Sequence, residues 1–203
     1  MISQVIKHID QIIDGMPYFS QIYGLCERKT HQGKSQPVFY LNGEYNKLDL
    51  NQLGFTYWRQ TGDTSLADSP TFVSGRREYE ITTPLRLFAI TKRSEFPSDD
   101  AYSSHRLAAT LLKAATIKGG KALKDEIKVR KLSTIATVYS TNSQQILSEE
   151  FTGIDWADFK QSDLAVAIDI DLTVLQQSEC IVDPCDYVPS FCLQLENYIA
   201  LPE

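Results

Sequence analysis

The stretch "DLAVAIDIDLTV" at 163–174 is the tightest local constraint on how this chain can fold. Leu164, Val166, Ile168, Ile170, Leu172 and Val174 take the even positions, and Ala165, Ala167, Asp169, Asp171 and Thr173 the odd ones. Successive side chains of a strand point to opposite faces, so one face is wholly apolar and the other small or polar. That pattern suits an antiparallel sheet covered on one side. It also sets two carboxylates on one face. Asp169 and Asp171 read either as the solvated side of the strand or as the start of a metal site, with Glu149, Glu150 or Asp155 as further ligands. The alternation alone accounts for both, so no metal and no cofactor is expected.

The rest of the chain supplies partners for such a strand. Ile2, Val5, Ile6, Ile9, Ile12 and Ile13 follow the spacing of an amphipathic helix, which Gly15 and Pro17 stop. "PYFSQIYGLCE" is expected to add a short helical turn. "VFYLNGEYNKLDL" reads as a hairpin about Asn42–Gly43, a pair suited to a type I′ turn, with Tyr40 opposite Tyr45. Residues 54–78 hold three glycines, a proline and many Ser, Thr and Asp, and read as a long inserted loop. A strand is expected from about Tyr79 to Arg93, with Pro84 at an edge or bulge. A second helix follows, capped by Ser98, Asp99 or Asp100, with Ala108, Leu111, Leu112 and Ala115 as its buried stripe and Gly119–Gly120 at its end. "IKVRKLSTIATVYS" is a further strand, and "NSQQILSEEF" its bent continuation or a short helix. The fold class is α+β: a mostly antiparallel sheet with an N-terminal helix and a second helix packed on one face. Residues 1–180 form a single domain, and 181–203 a C-terminal extension.

At 203 residues, with 42% hydrophobic and 23% charged side chains, the chain can build a real core. No apolar run approaches the roughly 18–20 residues that span a bilayer, and the start has no signal-peptide pattern, so no membrane is expected and synthesis is cytoplasmic. Cys26, Cys180, Cys185 and Cys192 lack the paired spacing of a zinc site and are expected to be reduced. His8, His31 and His105 flank no recognisable nucleophile, and "KGGK" lacks the spacing of a phosphate loop. No catalytic constellation emerges.

Charge is split along the chain. Residues 1–147 carry 19 Lys and Arg against 14 Asp and Glu, whereas 148–203 carry only Lys160 against 12 acidic residues. In an assembly, the acidic face of one copy can meet the basic face of the next. Candidate interface residues follow from this reading. Phe55, Tyr57, Trp58 and Arg59 are either core or an aromatic-plus-Arg anchor. Lys121, Lys124 and Lys128 lie in a basic segment that could serve a solvated helix end, an acidic partner or nucleic-acid phosphate. Asp169 and Asp171, with Tyr187 and Tyr198 in the extension, complete the set.

An N-terminal amphipathic helix, a hairpin, a strand like "TPLRLFAI", a helix, and strands ending in "LAVAIDIDLTVLQQSEC" together resemble the tail-completion proteins of tailed bacteriophages and prophages. The resemblance covers about residues 1–180 and lies in element order and strand texture. It implies a tail terminator or head–tail connector: a non-enzymatic virion subunit that forms a ring, commonly sixfold or twelvefold. The implied partners are copies of itself, portal or connector proteins and tail-tube proteins, with DNA passing through the lumen without specific binding. The alternatives are a monomeric protein-binding adaptor, and a metal-dependent hydrolase using Asp169 and Asp171.

Overall fold

A computed structural model describes residues 2–31, 34–41, 44–48, 54–73, 76–95, 102–116, 124, 129, 131–152 and 163–177. The order is α1 (Ile2–Asp14), β1 (Gln21–His31), β2 (Lys34–Leu41), β3 (Glu44–Lys47), β4 (Phe55–Gln60), β5 (Ser65–Val73) and β6 (Arg76–Lys92), then α2 (Ser103–Ala115), β7 (Lys131–Ser140), α3 (Ser143–Glu150) and β8 (Asp163–Gln177). The fold is α+β. Its strands lie in the order β3-β2-β1-β4-β6-β8-β7, and β5 pairs with β6 beside β4. Every pairing is antiparallel except β1 with β4.

The strand read from the alternating stretch is β8, paired on both sides between β6 and the end strand β7. Its even residues are all buried in one core with Val5, Ile6, Ile9 and Ile13 of α1 and Leu107, Ala108, Leu111, Ala114 and Ala115 of α2. These two helices cover the first face of the sheet. Burying a Leu- or Ile-sized side chain contributes about 1.5–3 kcal/mol before chain entropy is counted, so this six-residue row is a large part of what holds the helices down. Ile12 is an exception to the helical stripe and is 45% exposed.

The second face is not left uncovered. Ala165 and Ala167 are fully buried against α3 with Phe55, Tyr57, Phe88 and Ile90. "NSQQILSEEF" forms α3 rather than a bent strand, because Asn142 caps it: its Oδ1 accepts from the Gln145 amide at 3.2 Å. Two alanines leave room for that helix to pack close. Asp169, Asp171 and Thr173, further along β8, lie beyond it.

Two expectations are corrected. Residues 54–78 are not one long loop: β4, β5 and the start of β6 take up most of them, with a four-residue connection from Thr61 to Thr64. The Phe, Tyr, Trp and Thr that looked like a binding excursion are strand formers, and tertiary pairing with β6 outweighed the flanking Gly, Ser and Asp. "PYFSQIYGLCE" adds no helical turn. From Gln21 it is strand, because it pairs with β4 and β2.

Gly54 explains how the chain enters β4. Its φ is +97°, its carbonyl accepts from the amides of Ser20 at 2.7 Å and Gln21 at 3.2 Å, and its amide donates to Ile90 at 3.1 Å. A Cβ there would stand 2.8 Å from the Tyr18 carbonyl oxygen, so only glycine fits.

Tyr40 pairs with Tyr45 as expected, ring centroids 5.0 Å apart and edge to face. Asn42, Gly43, Ser98, Asp99, Asp100, the cysteines beyond Cys26, Trp156 and the whole extension lie outside the described residues. Cys26 is a buried free thiol, pushed up by burial to about 12, which leaves it without thiolate character. Among the described residues no helix is long and apolar enough to cross a membrane.

Candidate functional site

The polar groups of the second face are set by register. Arg59 on β4 faces Arg86 on β6, Arg86 faces Asp169 on β8, and Asp169 faces Thr137 on β7. One row thus crosses four strands with two cations and a carboxylate in line. The next row, Tyr57, Phe88 and Ala167, is buried, and Tyr57 stacks on Phe88 with centroids 4.8 Å apart. The polar row marks the border between the part of the face under α3 and the part open to solvent.

Each charge in the row has a partner. Arg86 holds Asp169 through two nitrogens, Nε to Oδ1 at 2.5 Å and Nη2 to Oδ2 at 3.0 Å. The Tyr139 ring lies over the same guanidinium, 3.3 Å from its carbon to the ring centroid. Tyr139 Oη donates to Glu149 Oε2 at 2.9 Å, and Gln145 Nε2 donates to Glu149 Oε1 at 3.0 Å; these bonds hold Glu149 below its ordinary carboxylate range.

Deeper in, Arg59 Nη1 meets Glu150 Oε1 at 2.8 Å, and Tyr57 Oη donates to Glu150 Oε2 at 3.3 Å. Glu150 is 1% exposed, and burial raises its pKa although Arg59 opposes the shift. Burial also lifts the Tyr57 hydroxyl well above its usual value, with Glu150 adding to the effect. This is an anchored ionic network that fastens α3 to β4 and β7, rather than a set of free carboxylates.

Of the residues singled out from sequence, Arg59 and Asp169 fall in this one row. Asp171 does not join them. It is exposed two residues further along β8, opposite Ile135 on β7 and Pro84 on β6. Asp169 and Asp171 share a face as expected, yet Arg86 occupies both oxygens of the first. Among the described residues no three His, Cys, Asp or Glu side chains gather as a metal site would need.

Phe55, Tyr57 and Trp58 are each 0% exposed, so their rings fill the chain's own core and present no anchor to a partner. Trp58 faces the first core, where its Nε1 donates to Asp10 Oδ1 at 2.7 Å. Lys124 is half-buried, while Lys121, Lys128, Tyr187 and Tyr198 lie outside the described residues.

Sequence reasoning missed Arg86 and Tyr139. Arg86 carried a signal: it is the lone charge in "TPLRLFAI", between Leu85 and Leu87, and a cation in an apolar strand needs a counter-charge opposite. Tyr139 gave none, since its role depends on the register of β7.

No protein-family model matches the chain, and no curated protein matches it.

Proposed function

We propose that this chain is a structural subunit of a tailed phage or prophage virion, forming a ring at the head–tail junction as a tail terminator or head–tail connector. The observation that carries this reading is that, among the described residues, six exposed large apolar side chains lie at the two ends of the sheet, with Ile12, Leu66 and Tyr102 exposed elsewhere. Leu25, Tyr40 and Tyr45 are 43%, 63% and 50% exposed on the β1–β3 end of the sheet. Ile135 and Tyr139 are 65% and 37% exposed on one face of β7, the strand at the other end, and Val138, 42% exposed, lies on its opposite face. Exposed apolar side chains clustered in this way mark contact surfaces. Two different surfaces at opposite ends suit head-to-tail association, which closes into a ring when the rotation between copies allows. The resemblance in element order supports the same reading.

The paired state of Asp169 favours a structural role over the hydrolase alternative. A carboxylate bridged through both oxygens by arginine is engaged before any metal arrives.

Electron microscopy of particles made with this gene disrupted tests the proposal. Filled heads without tails point to a connector, and tails of uncontrolled length to a terminator. Normal, infectious particles would overturn it.

A further inference from the structure

The two uncovered ends differ in charge as well as in place. On the β1–β3 end, Lys29 Nζ sits 4.0 Å over the exposed Tyr45 ring. Lys34 and Lys47 are exposed on the same face of these strands, against the carboxylate of Glu27. Glu27 is already bridged to Lys29 at 3.5 Å, which leaves this end cationic around an aromatic centre.

The β7–β8 end is the reverse. On its open face Ile135 and Tyr139 stand beside Asp171 and the network of Asp169, Glu149 and Glu150, with Glu80 further along β6. With Asp169 held by Arg86 and Glu150 buried against Arg59, the exposed Asp171 and Glu80 and the half-buried Glu149 remain against the exposed Lys131, so the surplus is anionic.

The faces differ too. Cys26 and Phe39 are register partners that turn toward the core under α3, so their neighbours Leu25 and Tyr40 project from the other face. Ile135 and Asp171 project from the α3 face, the one to which Ala165 and Ala167 of β8 belong. A cationic aromatic patch therefore lies on one face at one end, and an anionic apolar patch on the opposite face at the other end.

We infer that these two patches are the two halves of one contact: the Leu25–Tyr40–Tyr45 patch of one copy laps onto the Ile135–Tyr139–Asp171 patch of the next. The inference rests on the ring reading and names its surfaces. The occupant of each patch is a second copy, because the patches complement each other in charge and both offer apolar area at their centres. Opposite faces at opposite ends let each sheet overlap its neighbour as a shingle does, so a single contact repeats without a twofold axis. Asp171, with no ion pair within the subunit among the described residues, is the carboxylate available to a neighbour's lysine.

Two exposed substitutions test this, Tyr45→Glu on the cationic patch and Ile135→Arg on the anionic one. Circular dichroism confirms that each variant folds, and native mass spectrometry with sedimentation reads assembly. Every head-to-tail contact needs both patches, so each variant alone should be monomeric, with the concentration for half-assembly raised at least tenfold. Mixed in equal amounts, the two variants retain one intact patch each and should give a heterodimer and nothing larger. The charge-reversed pair Lys47→Glu with Asp171→Lys in one chain should assemble better than either change alone.

Dimers of a single variant would show a contact of like patches and overturn the inference. Wild-type rings that both variants leave unchanged would overturn it while the ring reading stands. A wild-type chain that stays monomeric throughout would overturn both.

Discussion

Arg86 and Asp169 stand opposite each other on adjacent strands, and two guanidinium nitrogens reach both carboxylate oxygens at 2.5 and 3.0 Å. The side chains are 13% and 39% exposed, so the pair sits at the edge of the water rather than beneath it. Bidentate geometry and the Tyr139 ring above make it stiffer than an ordinary surface bridge. Replacing Arg86 by Met should cost about 1–2 kcal/mol, and a double-mutant cycle with Asp169→Asn should return a coupling of about 1 kcal/mol. Urea midpoints of the four proteins measure it; a coupling near zero would mean that the bridge is ornamental.

The Arg59–Glu150 pair is the more deeply placed, and its loss should be the more severe. Arg59→Leu strands a carboxylate that is 1% exposed, at a cost of about 3 kcal/mol. Glu150→Gln keeps one acceptor oxygen and removes the buried charge, and should cost less. In the Arg59→Leu variant the raised pKa of Glu150 rises further, so the folded state binds a proton more readily than the unfolded one. Its stability should therefore fall as pH increases, relative to wild type. Thermal melts across pH 5–8 check both points.

Asp10 gives a second pH dependence, free of α3. Burial raises its pKa from 3.8 to about 6, against the opposing hydrogen bond from Trp58. A raised folded-state pKa means that the contribution is full below the unfolded value near 4 and is lost as pH rises through about 6. Asp10→Asn keeps an acceptor for the indole N–H and removes the charge. The variant should be more stable than wild type at pH 8, by about 1 kcal/mol after allowance for solvent screening, and the gain should shrink toward pH 4.

Gly54→Ala should be costly although it adds one methyl. The backbone is at φ +97° and the new Cβ would meet the Tyr18 carbonyl at 2.8 Å, so the junction between α1, β1 and β4 must shift. A loss of about 2–3 kcal/mol is expected in denaturant unfolding. An unchanged midpoint would mean that the junction relaxes freely.

What could be read without coordinates follows from how local the cause is. The period-two pattern of β8 and the helical spacing of α1 are local, and both elements stand where the pattern puts them. The Tyr40–Tyr45 pairing is local too, between residues five apart in the chain. Phe55 to Arg59 was harder. Glycine, serine and aspartate around these residues suggested a loop, whereas five long-range pairings with β6 make them strand. Covering of the second face over Ala165 and Ala167 was written in their small size, but only α3 beside them gives that size a meaning. The Arg59–Arg86–Asp169 row needed three registers at once, and no single stretch contains it.

Native mass spectrometry of the purified wild-type chain over a range of concentrations tests the central claim most directly. A closed oligomer at one mass, six or twelve times that of the chain, is expected, with no dimer dominating on the way. A monomer at every concentration, or a dimer that grows no further, would contradict it.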